Sequence, residues 1–233
     1  TVSQHYKKTM RIKIKILLLF IFSTNFMNGQ NPEDDKSIGW DSIDEILKKE
    51  YGEQVPQHYA PKVYYSLGGN EPLDGISVYV DKENKCYHYI TYGFSEIYEK
   101  ETKNKEISGF GFELTFRLKY SEFSEKYPIW PINLLQSIAK VTFSKGLTFK
   151  EFQTLSSGPI RLEPSTEIKG ILFILDPTLK EMETENGKVE FLQIFGLTSS
   201  EYQSIIDKKI DRREFINEEL TKNPLLITDV ERK

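Results

Sequence analysis

Cysteine is almost missing from this chain: Cys86 stands alone in 233 residues. A single thiol excludes an intrachain disulfide framework and a zinc site built from several thiolates. Histidine is nearly as scarce. His5 lies near the N-terminus, and His58 and His88 have no His or Cys at ligand spacing, so neither a metal nor a cofactor is expected. There is no Walker A run, no His-Glu-x-x-His and no nucleophile elbow. Positive charge is short where it would matter. Of 31 Lys+Arg and 35 Asp+Glu, five cations (Lys7, Lys8, Arg11, Lys13, Lys15) and no acid lie in residues 1–29, which leaves 26 cations against 35 acids, or -9, for the rest. Nucleic acid and anionic membrane surfaces need clustered Lys/Arg, so that balance argues against both as partners. What is abundant is aromatic: 13 Tyr and 15 Phe, within 38% hydrophobic residues, suffice for the core of one sizeable domain.

Residues 1–29 read as a leader. Met10-Arg-Ile-Lys-Ile-Lys15 is a basic stretch, and Ile16–Phe22 is an apolar run far shorter than the roughly 20 residues that cross a bilayer. With Gly29 before a cut, the pattern fits a signal peptide starting at Met10. The expectation is export, periplasmic or secreted, if this leader is cleaved, and a cytoplasmic protein if it does not function, with no stable membrane span after its removal. Residues 30–37 are a polar tether, and 38–233 one domain.

Periodicity in the body predicts an α+β fold: a mixed, largely antiparallel sheet with flanking helices. Ile43, Ile46 and Leu47 give a short amphipathic helix over Asp41–Glu50 with Asp41 as its cap. Strands are expected at Lys62–Leu67, Gly75–Val80 and Lys85–Tyr92, in meander spacing, and at Phe112–Leu118, with a charged loop over 96–108. Pro131 opens a second helix, which Gly146 stops. The apolar runs Gly170–Leu175 and Val189–Phe195 are buried strands. Thr198 caps a helix reaching about Ile210, Arg213–Leu220 is another, and Leu225–Asp229 a terminal strand. Gly68, Gly69, Gly75, Gly109 and Gly111 punctuate strand ends, where positive φ is expected.

Catalytic chemistry is hard to find. Ser108-Gly109-Phe110-Gly111 lacks a third glycine and leads into a strand, which defeats a dinucleotide reading. Cys86 and His88 share one strand face; they are a nucleophile pair or, more simply, packing, and His88 could instead pair with Glu113. No motif pairs Asp74, Glu96, Glu99, Glu101 or Glu113. The tyrosines are more telling. Tyr87, Tyr89, Tyr92 and Tyr98 cluster around Phe94, and tyrosine is enriched in contact hot spots. Tyr87 and Tyr89 share one strand face and His88, Ile90 and Tyr92 the other, so at least one set is core.

Several segments carry a resemblance: Gly39-Trp40-Asp41, Gln57-His58-Tyr59-Ala60-Pro61, Leu67–Tyr79, His88–Tyr98, Ser108–Leu118, Trp130-Pro131, Leu175-Asp176-Pro177, Val189–Gly196 and Leu226-Ile227-Thr228-Asp229. In this order they resemble the Suppressor of fused (SUFU) domain family across nearly all of 38–233, most of all its bacterial single-domain type. The resemblance implies a non-enzymatic domain that binds a protein or an extended peptide. Animal members are intracellular repressors that clamp a peptide of zinc-finger transcription factors between two domains, and this chain resembles only the N-terminal one. Bacterial members are associated with toxin systems, which implies an immunity or adaptor protein. The alternative is an exported domain that binds a small ligand. The family's peptide groove uses a tyrosine and an acid, matched here by Tyr89 and by Glu99 or Glu101. The expected contact residues are therefore Tyr89, Tyr92, Tyr98, Glu99 and Glu101, and the acidic balance favours a basic partner.

Overall fold

Alternation of apolar side chains over 75–118 sets the frame of the molecule. A computed structural model describes residues 37–233; the leader and the tether up to residue 36 lie outside the described residues. The elements run α1 (Ile38–Tyr51), β1 (Gln57–Tyr59), β2 (Gly75–Asp81), β3 (Cys86–Tyr92), β4 (Ile107–Lys119), α2 (Trp130–Lys145), β5 (Thr154–Ser156), β6 (Ile168–Leu175), β7 (Glu181–Thr184), β8 (Gly187–Thr198), α3 (Ser199–Ile206) and α4 (Arg212–Lys222). The eight strands form one sheet in the order β1-β2-β3-β4-β8-β6-β5, with β7 paired to β8. Among the described strands only β4 and β8 pair parallel.

Helices cover both faces of this sheet. On one, Ile132, Leu135, Ile138 and Ala139 of α2 pack on Tyr87, Tyr89, Leu114, Phe116, Phe173 and Ile194. On the other, Ile43 and Leu47 of α1 pack on Tyr79, Ile90, Tyr92 and Phe191, and α3 and α4 cover Leu172, Ile174, Phe195 and Leu197. Both pleat faces of β3 are therefore core. Between the two clusters of the second face sits a polar group: Asp176 Oδ2 accepts from Arg117 Nη1 (2.6 Å) and Thr115 Oγ1 (2.7 Å), and Arg117 also bonds Gln193 and Thr178.

Several expectations are corrected here. Lys62–Leu67 is not a strand: Tyr65–Leu67 is a 3₁₀ turn, and the place beside β2 is taken by Gln57–Tyr59. Helix α1 begins at Ile38, one turn ahead of Asp41, because the Gly39 and Trp40 amides bond the Ile97 carbonyl, both at 3.1 Å. Helix α3 stops at Ile206, and residues 225–229 contribute only an isolated bridge, Leu118 to Thr228. Gly69 and Gly75 do not have positive φ; both are required by space, since a Cβ would run into the Val63 carbonyl at Gly69 and into the His58 ring at Gly75. Gly109 has φ +55°, as expected, at the bulge where the β4–β8 register shifts.

Candidate functional site

The chain leaving β3 is anchored by several buried side chains. Glu113, buried in β4, accepts on Oε1 from Gly93 N (3.0 Å), Ser95 N (2.9 Å) and Ser95 Oγ (2.6 Å). Ser108 Oγ receives the Glu96 amide, and Asn186 Nδ2 donates to the Glu96 and Tyr98 carbonyls at 2.9 and 3.0 Å. Glu96 turns its carboxylate the other way, accepting from the Glu101, Thr102 and Gly109 amides and from Lys100 Nζ. Burial alone would raise its pKa, but Lys100 and the three amides outweigh that and hold it down to about 2. A loop of mostly charged residues is thus folded around a buried-side anchor and an outer one.

This anchored segment walls a cavity of about 310 Å³. Its apolar wall is Phe94, Phe110 and Phe143, the last from α2, with ring centroids 6.1 Å (Phe94–Phe143) and 5.0 Å (Phe110–Phe143) apart. Tyr65 packs edge-on against Phe143 at 5.8 Å. The rim carries Tyr98, which is 48% exposed, with Asp74, Glu99 and Glu101. Burial raises the Asp74 pKa, and burial followed by Asp74 and Tyr64 raises that of Tyr98. Of the loop's three cations, Lys100 is engaged by Glu96, and Lys103 and Lys105 do not line the cavity. The result is an aromatic hollow with a negative lip, chemistry that suits a cationic or hydrogen-bond-donating group carried on an apolar stem.

Of the five expected contact residues, the structure brings Tyr98, Glu99 and Glu101 together on that rim. It moves Tyr89 and Tyr92 to the interior. Tyr89 lies under α2 with its hydroxyl donating to the Pro128 carbonyl (2.9 Å), and Tyr92 lies under α1, stacked on Trp40 (4.5 Å) and donating to Asp44 (2.8 Å). The tyrosine-rich surface expected over 87–98 reduces to Tyr98, because α1 covers the face that alternation alone leaves open. Phe110, Phe143 and Tyr65 were missed. They come from three separate elements, and no local spacing joins them.

The Cys86–His88 pair is packing. Burial pushes the Cys86 thiol up to about 12, away from thiolate chemistry. His88 pairs with neither Cys86 nor Glu113: Nδ1 meets the Tyr51 hydroxyl at 2.6 Å, and Nε2 lies 3.2 Å from Asp176 Oδ2 without hydrogen-bond geometry. Burial, then Arg117, lowers its pKa to about 4 against the pull of Asp176.

The profile of the family described as Suppressor of fused protein (SUFU) matches residues 69–233. The chain is 35% identical over 153 residues to the Suppressor of fused homolog of Homo sapiens, and equally to that of Mus musculus, covering 61% of this chain and 32% of each relative. It therefore spans about a third of the length of these relatives. Among solved structures, the Sufu–Fu complex superposes with TM-score 0.76 at 27% identity, covering 85% of this chain and 92% of that one. Drosophila Suppressor of Fused gives 0.75 at 26%, covering 88% and 53%. A SUFU homolog from Neisseria gonorrhoeae FA 1090 gives 0.57 at 13%, covering 84% and 95%, and shares the fold.

Proposed function

Since this chain belongs to the Suppressor of fused family, we propose that it is a non-enzymatic binding domain whose 93–102 pocket receives a basic side chain of an extended peptide or protein segment. The observation that carries this reading is the cavity itself. Glu113 ties down the backbone on both sides of Phe94 in its aromatic wall, while Asp74, Glu99 and Glu101 line it around the exposed Tyr98. A preorganised hollow loses little entropy on binding, and a negative rim speeds encounter with a positive partner. A relative of this shape is seen in a complex of Sufu with Fu, which supports a protein as the occupant. Three finer proposals stand beside it: export directed by residues 10–29, read from the leader pattern; a role as an immunity or adaptor protein of a bacterial toxin system, from the resemblance; and the alternative of an exported small-ligand binder. The cavity volume, at the small end of ligand pockets, keeps that alternative in play.

A displayed library of extended peptides tests the leading reading. The wild-type domain should enrich Lys- or Arg-bearing sequences, and capture should weaken as salt rises. Tyr98→Ala combined with Glu99→Lys and Glu101→Lys should abolish that enrichment while leaving the unfolding temperature nearly unchanged, because all three side chains are exposed. Enrichment without basic residues, or unchanged in the triple variant, would place the contact surface elsewhere.

A further inference from the structure

Glu113 is fully buried in the middle of β4, on the face covered by α1, and does not itself line the pocket. A buried carboxyl with no cation beside it is costly, and a hydrophobic residue at this pleat would be cheaper. Its neighbours explain its presence. Oε1 gathers the Gly93 and Ser95 amides and the Ser95 hydroxyl; Oε2 meets the Thr91 hydroxyl at 2.6 Å. Gly93 and Ser95 flank Phe94, whose ring is the floor of the pocket. The same carboxyl therefore fixes both sides of a wall residue that belongs to the buried core.

Thr91 adds a second property. Its Oγ1 accepts the Leu114 amide at 2.8 Å and lies 3.2 Å from the Leu114 carbonyl. With Glu113 ionised, the Thr91 hydroxyl donates to Oε2. With Glu113 protonated, the proton on Oε2 can point to Thr91, whose own hydroxyl then turns to the Leu114 carbonyl. Oε1 accepts its three bonds in either case. Burial, opposed by these hydrogen bonds, raises the Glu113 pKa to about 7, so both forms are populated near neutrality. The charged groups around it are otherwise occupied: Arg117 on β4 by Asp176, His88 on β3 by Tyr51, Asp44 of α1 by Tyr92, and Glu96 by Lys100. From β8, the facing positions are Phe191 and Gln193.

We infer that Glu113 is the positioning residue of the pocket, holding the 93–98 wall in one shape whether or not its carboxyl carries a proton. The inference rests on the binding role proposed for that pocket, but its test needs no ligand. Amide hydrogen exchange in the full chain, read by NMR, reports the wall directly. Glu113→Gln keeps the Oε1 acceptor and supplies an Nε2 donor to Thr91, so exchange at residues 93–98 should stay within about twofold of wild type. Glu113→Ala should accelerate those amides by about tenfold or more, with the β8 amides of residues 192–195 unchanged. If Glu113→Ala does not fold, Ser95→Ala serves: it removes one of the three donors and should accelerate 93–98 selectively. Acceleration spread evenly over the sheet, no acceleration at 93–98, or Glu113→Gln as labile as Glu113→Ala would each overturn the inference. Failure of the peptide-library test with this exchange pattern intact would instead remove the binding reading alone.

Discussion

Arg117 and Asp176 carry a charge pair into a region where neither side chain reaches water. Burial alone would raise the Asp176 pKa, yet His88 and Arg117 outweigh it and hold the carboxyl well below its usual range. A pair in this setting adds little over an apolar replacement, but loss of one member leaves the other uncompensated. Its worth is in what it joins: Asp176 Oδ1 accepts the Thr178 and Leu179 amides, both at 3.0 Å, and Gln193, bonded to Arg117, reaches the Leu225 and Leu226 carbonyls. Nothing in the sequence marks Asp176 as the centre of this group, since its partners come from positions 88, 115, 117 and 178. Two nearby titrations pull stability in opposite directions. His88 is neutral down to about 4 in the fold but protonates at the ordinary 6.5 when unfolded, so the unfolded state binds more protons between those values and stability falls as pH drops through that window. Glu113 keeps its proton up to about 7 when folded and loses it from about 4.5 when unfolded, so its contribution rises as pH drops through that window. In wild type the two offset each other. Urea titrations from pH 7 to pH 5 should therefore show stability falling more steeply in Glu113→Gln than in wild type; parallel pH profiles would refute the assignment.

At the scale of elements, the strands and helices with strong local signals were legible. β3, β4 and β8 alternate or run apolar over many residues, and α2 has Pro131 at its start and Gly146, with φ +63°, at its end. β1, β5 and β7, at three or four residues each, owe their existence to a neighbour's free edge rather than to their own composition. The 62–67 segment shows the converse: strand-forming residues without an edge to join make a turn, leaving Leu67 75% exposed. Half of the candidate site was visible for the same reason. Tyr98, Glu99 and Glu101 stand close in sequence, whereas the burial of Tyr92 on β3 depends on Trp40 and Asp44, which reach it from α1. Helix α3 offers a clean local test. Thr198 and Glu201 form a reciprocal capping box, with the Thr198 hydroxyl accepting the Glu201 amide and Glu201 Oε2 accepting the Thr198 amide at 2.7 Å. Thr198→Ala should cost about 1 kcal/mol in chemical denaturation; a loss below a few tenths would mean that packing on β6 and β8, not the cap, holds this helix.

For the whole molecule, charge and leader set separate expectations. The balance of -9 beyond residue 29 opposes non-specific binding to polyanions and favours a basic partner. Export is tested by fusing residues 10–40 to a reporter active only outside the cytoplasm: cleavage and activity are expected, and an uncleaved inactive fusion would end the proposal. The sheet itself has a further consequence. Strands β1 to β4 come from residues 57–119 and β5 to β8 from 154–198, and within each half the neighbours run antiparallel. The halves meet along the parallel β4–β8 pairing, bridged by α2, whose side chains touch both. Chain reversals close antiparallel neighbours at low entropic cost, while a parallel seam waits for its crossover. Each half is thus built to zip up early and the seam to join last, so a chain cut between residues 120 and 129 would yield two fragments whose association completes the fold.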